Sequence, residues 1–138
     1  MDIKDQWQVC SLELSMRLKE LGFPQKSLWY WDAHYEEPAI VLGKREDQKY
    51  HPESVCSAPS VAELGIALPN NLKDKKGNSL WLTLTRRPDG VWFIWYDTTL
   101  ERDIVNGIFY YRLTANTEAE ARGLMWEYLK KNGLLKEG

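Results

Sequence analysis

The sequence predicts an α+β fold, an antiparallel β-sheet of about four to five strands with three helices packed on it, in a single domain over residues 1–138. Three observations predict it. Residues 80–97 read as two β-rich runs around Pro88-Asp89-Gly90. Residues 117–133 carry a helix start, an apolar face at helical spacing and a glycine stop. Elsewhere, aromatic and β-branched runs are joined by short turns, which implies antiparallel pairing.

The first helix spans residues 11–21. Ser11 caps it, Gly22 with Pro24 ends it, and Leu14, Leu18 and Leu21 fall at helical spacing, with Leu12 and Met16 widening the stripe. Residues 28–32 (LWYWD) read as a strand and residues 39–43 (AIVLG) as its antiparallel partner. Residues 44–55 are polar and read as loop. A short second helix starts near Ser57 or Ser60. Ser60-Val61-Ala62-Glu63 fits a capping box, Val61, Leu64 and Leu68 face the core, and Pro69 stops the helix. Residues 70–78 (NNLKDKKGN) are the most loop-like segment.

The hairpin follows. Pro88 presets φ for the first turn position, Asp89 tolerates the second and Gly90 takes a left-handed conformation. This closure pairs Arg87 with Val91, Thr85 with Phe93, Leu84 with Ile94 and Thr83 with Trp95. Leu80, Leu82, Leu84, Trp92, Ile94 and Tyr96 then share one face, and Trp81, Thr83, Thr85, Phe93 and Trp95 share the other. Trp81 and Trp95 are placed as diagonal neighbours within reach of contact. Both faces are apolar or aromatic, so the second must be covered or must bind something. Residues 108–115 form a further strand, with Phe109, Tyr111 and Leu113 on one side and Tyr110, Arg112 and Thr114 on the other. In the last helix Thr117-Glu118-Ala119-Glu120 is a capping box. Ala121, Leu124, Met125, Tyr128 and Leu129 make the buried stripe, Lys130 and Lys131 suit the last turn, and Gly133 follows the end.

Bulk properties narrow the function classes. The net charge of −2 leaves no electrostatic footprint for duplex nucleic acid. Cys10 and Cys56 lack metal or disulfide spacing and read as free thiols in a reducing compartment. The start, Met1-Asp2-Ile3-Lys4-Asp5, lacks an apolar signal region, and no run approaches membrane-spanning length, so the expected location is cytoplasmic. Seven Trp and seven Tyr in this length are an excess, which serves either a core of large residues or a binding surface.

Chemistry-bearing residues are few. His34, His51, Glu36, Glu37 and Cys56 show no metal-ligand spacing. Cys56 next to Ser57 at a helix start is a nucleophile only with a base that the sequence does not assign. Glu36-Glu37, Glu46-Asp47 and Asp97 read as turn carboxylates. No P-loop, Gly-rich dinucleotide turn or G-x-S-x-G elbow occurs. No cofactor is expected. The set that stands out is aromatic and cationic: Trp29 and Trp31 on one strand face, Trp81, Phe93 and Trp95 on the second hairpin face, and Arg45, Arg87 and Arg112, with Arg86 and Lys44, nearby. Aromatic rings with guanidinium groups suit nucleobase stacking plus phosphate pairing, and equally a protein interface or a core with arginines at its rim.

Three stretches together resemble a family of small uncharacterised proteins encoded in bacteriophages and prophages. They are Cys10-Ser11-Leu12-Glu13-Leu14 through Lys19-Glu20-Leu21-Gly22; Ser60-Val61-Ala62-Glu63-Leu64-Gly65 with Leu68-Pro69; and Asn116-Thr117-Glu118-Ala119-Glu120-Ala121-Arg122 with Tyr128-Leu129. The aromatic strand Leu28-Trp29-Tyr30-Trp31 sits where that layout expects one. The resemblance carries no functional residues. It implies a setting, a small accessory protein in the cytoplasm of an infected host. The expectation is a non-enzymatic binding module, counter-defence in role, that sequesters a small nucleotide-like signal or occupies a host protein. The alternative is a self-associating protein, a homo-oligomer through its aromatic sheet face, and the third is a hydrolase or nuclease.

Overall fold

A computed structural model of the chain describes residues 8–32, 38–42, 55–98 and 110–135. The elements follow in the order α1 (Leu12–Glu20), β1 (Trp29–Asp32), β2 (Ala39–Leu42), β3 (Val55–Ser57), α2 (Val61–Ala67), β4 (Asn71–Lys73), β5 (Ser79–Arg86), β6 (Trp92–Thr98), β7 (Tyr110–Ala115) and α3 (Glu118–Lys131). The α+β class read from the sequence holds. The strands, however, divide between two antiparallel sheets, one in the order β2-β1-β3 and one in the order β4-β5-β6-β7.

Two strands lie in segments that read as loop or helix start. β3 runs antiparallel to β1, with Trp31 opposite Cys56, and its three residues are buried. A three-residue strand whose partner is far away in sequence leaves no local periodicity to detect. β4 pairs with β5, Asn71 opposite Trp81. The turn between them forms because the Asp74 carboxylate accepts from the N–H groups of Lys76 (2.9 Å) and Asn78 (2.8 Å), and Gly77 sits at φ +84°. The polar segment is therefore a hairpin turn, with a strand too short to alternate.

The main core lies between one face of the four-stranded sheet and the helices. Leu80, Ile94 and Tyr96 from the sheet meet Leu14 and Leu18 of α1, Leu64 of α2 and Met125 and Leu129 of α3, all essentially without solvent exposure. Met16, expected on the α1 stripe, points to solvent. Helix α3 is buried beyond its predicted stripe. Leu124 and Tyr128 are only half-buried, whereas Gly123, Trp126 and Glu127 are buried, because α1 packs along a second side of the helix. Phe23 meets the Trp126 ring edge-on at 4.9 Å, and Arg17 of α1 donates to Glu127 through Nε (2.7 Å) and Nη2 (3.3 Å).

The helix caps tie these pieces together. Ser60 and Glu63 close the predicted capping box of α2. At α3 the box is half present. Thr117 Oγ1 accepts from the Glu120 N–H at 3.1 Å, but the Glu120 carboxylate turns to α1, where it accepts from the Ser11 N–H and hydroxyl. One carboxylate thus places negative charge at the start of α1 while belonging to α3. The small sheet is anchored at the same corner. Trp31 Nε1 donates to the Cys10 carbonyl at 2.8 Å, and Val9, Trp31, Ile40, Cys56 and Ala58 form a second core cluster.

Candidate functional site

The β5–β6 hairpin has the register that its turn dictates. Arg87 N–H donates to the Val91 carbonyl and Gly90 N–H to the Arg87 carbonyl, each at 2.9 Å, and Gly90 takes φ +90°. A three-residue loop of this form leaves Thr85 opposite Phe93, Thr83 opposite Trp95 and Trp81 opposite Asp97. Leu80, Leu82 and Leu84 of β5 and Trp92, Ile94 and Tyr96 of β6 enter the main core. The odd-numbered face, carrying Trp81 and Trp95 together, looks away from the helices. Among the described residues no helix packs on it, and Trp81 remains 49% exposed.

Strand β7 adds a second cation, Arg112, and carries an irregularity beside it. Ile94 lies opposite Leu113 and Tyr96 opposite Tyr110, so Tyr111 and Arg112 together face the single residue Trp95. This is a β-bulge, with Tyr111 at φ +58°. The alternation expected along residues 108–115 is therefore broken. Tyr110 joins Tyr111 and Leu113 against the main core instead of sharing the outer face with Arg112. Tyr111 packs near Tyr96 (6.4 Å) and Tyr128 (5.4 Å). A non-glycine residue at this φ costs about 1–3 kcal/mol. In return, both Tyr110 and Tyr111 pack against the main core while Arg112 stays on the outer face.

Phe93 is the centre of the cluster. The Arg112 guanidinium lies 4.6 Å from its ring centroid and that of Arg87 5.3 Å, both within cation–π range. Phe93 is buried although it lies on the outer face, because these two side chains cover it. Arg87 is steadied by Asp89 in the turn, Nη2 to Oδ2 3.1 Å. Thr85, Arg87, Phe93, Trp95 and Arg112 line a shallow depression of about 340 Å3. Two cations beside an apolar floor can take a planar molecule with an anionic group.

The structure brings together five of the sequence-predicted site residues on one sheet face, namely Trp81, Phe93, Trp95, Arg87 and Arg112. It does not bring in Trp29 and Trp31. These share a face, as expected, but on the three-stranded sheet, where both pack into the second core cluster and Trp31 is buried. Arg45 and Lys44 lie outside the described residues, as do His34, His51, Glu36, Glu37, Glu46 and Asp47. Asp97, read as a turn carboxylate, is a β6 residue on the open face, beside Trp81. Period-two counting from Phe93 through Trp95 would have found it.

Other candidates have less to offer. Cys56 is not at a helix start; it is a buried strand residue, and burial pushes its thiol up to about 11, away from nucleophilic thiolate character. The Cys10 thiol is also held well above its ordinary range, first by burial and then by the Glu120 and Glu63 carboxylates, and its Sγ–H donates to the Ala119 carbonyl at 3.3 Å. Among the described residues no three His, Cys, Asp or Glu side chains gather as metal ligands. A second groove of about 540 Å3 runs along Leu68, Leu72, Leu134 and Leu135, with Lys73 the one charged lining residue among the described residues. Among the described residues no helix is long and apolar enough to cross a membrane.

No family model matches this chain, and neither the curated proteins nor the solved structures include one that it matches.

Proposed function

We propose that this protein is a non-enzymatic binding module whose open sheet face captures a small nucleotide-like anion. The observation that carries this reading is the pair Arg87 and Arg112 bracketing Phe93 at the rim of a depression floored by Trp95. Guanidinium forks pair with phosphate oxygens in a bidentate way, and aromatic faces stack on bases of any identity. The volume of about 340 Å3 falls at the small end of ligand sites. In the setting that the phage-like layout implies, such a module acts in the host cytoplasm by sequestering a nucleotide-derived signal, as an accessory or counter-defence factor.

The test is a thermal-shift and calorimetric screen against cyclic and linear nucleotides. A ligand at about 100 times its Kd adds about 2.7 kcal/mol, which raises the melting temperature by several degrees in a chain of this length. Arg87→Gln and Arg112→Gln, both at exposed positions, should abolish the shift and leave the melting temperature of the free protein within about 2 °C. No shift with any nucleotide at saturating concentration refutes the reading. The half-exposed Trp81 favours a second one, in which this face meets a host protein or a second copy of the chain. A strict monomer by light scattering at high concentration removes the second copy, and pull-down from host lysate seeks the heterologous partner.

A further inference from the structure

The open face has a polarity that narrows its ligand, and we infer that it selects a single nucleoside monophosphate whose base presents an amino group at cytosine N4 or adenine N6. This rests on the nucleotide-binding reading above. Three rows cross the face in order: Phe93 beside Thr85, Trp95 beside Thr83, and Asp97 beside Trp81. The first row holds both guanidinium groups, 4.6 and 5.3 Å from the Phe93 centroid. The middle row holds the Trp95 indole. The third row holds a carboxylate. Asp97 Oδ1 accepts from the Thr98 N–H at 3.0 Å, and Oδ2 accepts no hydrogen bond among the described residues.

Cation, ring and carboxylate thus lie in line. Phe93 and Asp97 are four residue steps apart along the strand, a span of roughly 13 Å at about 3.3 Å per residue. An extended mononucleotide covers that order of length from phosphate to the far edge of its base. With the phosphate on Arg87 and Arg112 and the base over Trp95, the far edge arrives at Asp97. A carboxylate accepts from the cytosine N4 or adenine N6 amino group and is repelled by the uracil O4 or hypoxanthine O6 that replaces it. The same carboxylate argues against a longer strand, because a second phosphate would have to lie along the face toward Asp97.

Calorimetry with CMP, UMP, AMP and IMP on the wild-type chain tests this without any variant. CMP over UMP, or AMP over IMP, should be favoured by about tenfold in Kd, the contribution of one hydrogen bond to a charged acceptor. Asp97→Asn keeps an acceptor for the Thr98 N–H, so the fold is retained, and should bring that pair to within about twofold. If all four nucleotides bind alike, or the preference survives Asp97→Asn, the inference fails while nucleotide binding stands. Binding of the 5′-phosphorylated dinucleotide pCpC more than about tenfold tighter than CMP also overturns it, in favour of a single-stranded nucleic acid. If no mononucleotide binds, the inference and the underlying reading fall together.

Discussion

Gly123→Ala probes a close approach in the fold, where α3 meets Cys10 and Leu14 at the start of α1. A β-carbon at residue 123 would sit 2.6 Å from Cys10 Sγ and 2.8 Å from Leu14 Cδ2. Neither neighbour yields freely. Cys10 Sγ is held by the Ala119 carbonyl, and Leu14 is fully enclosed in the main core. Alanine in a helix interior gains about 1 kcal/mol over glycine in propensity. Overpacking a closed core costs about 1–3 kcal/mol, and two simultaneous clashes put this site at the upper end of that range. The net expectation is a loss of about 1–2 kcal/mol, a fall of several degrees in melting temperature. Urea melts of Gly123→Ala should show a lower midpoint with an unchanged slope. In a Cys10→Ala background the sulfur clash is gone, so the same substitution should cost at least about 0.5 kcal/mol less. A Gly123→Ala chain as stable as the parent, or more so, would refute the close approach and with it the explanation of why α3 is buried on two sides.

Two further outcomes follow from burial. The folded state holds the Cys56 thiol neutral up to about 11, whereas the unfolded chain ionises it near 9. Its contribution is therefore intact below pH 9 and lost as pH rises through 11, by about 2–3 kcal/mol, and burial of Cys10 and Tyr96 acts in the same direction. Urea melts from pH 8 to 11 should show this decline, and a flat profile contradicts it. The two faces of the hairpin should also part company: Ile94→Ala should cost about 2–5 kcal/mol, whereas Trp81→Ala, at a half-exposed position, should cost about 1 kcal/mol or less. Denaturant midpoints of the two variants decide, and equal losses would mean that the outer face is core.

Where information was local, it was legible. Pro88-Asp89-Gly90 specifies its own loop, and that loop sets the register of every pair from Arg86 to Leu80. Ser11, Ser60 and Thr117 each cap the helix they precede, since capping depends on three or four consecutive residues. What escaped was non-local. β3 exists because β1 offers a free edge, and nothing in Val55-Cys56-Ser57 announces that edge. Glu120 satisfies the α3 pattern in sequence yet caps α1, because a carboxylate goes to whichever unpaired N–H group the tertiary structure brings near. The bulge at Tyr111 is of the same kind. Strict alternation would have put Tyr110 on the outer face, and only the packing around Tyr96 and Tyr128 shows what the extra residue achieves.

The candidate site follows from this division between faces. Folding of the four-stranded sheet is secured by the face that meets the helices, with Leu80, Ile94 and Tyr96 at its centre, so the residues of the opposite face are under less packing constraint. Natural sequences usually fill such a face with polar residues, because an exposed aromatic surface invites association. Here Trp81, Phe93 and Trp95 occupy it, and the exposed arginines lie across Phe93, where a sheet built only for stability would favour small polar side chains. Arg87 and Arg112 both lie over the Phe93 ring, so two positive charges stand close together on this face. An anion bound beside them is attracted by both, and its binding should strengthen as ionic strength falls. A face built for protein contact through its aromatics would respond weakly to salt, so the salt dependence of whatever binds there separates the two readings.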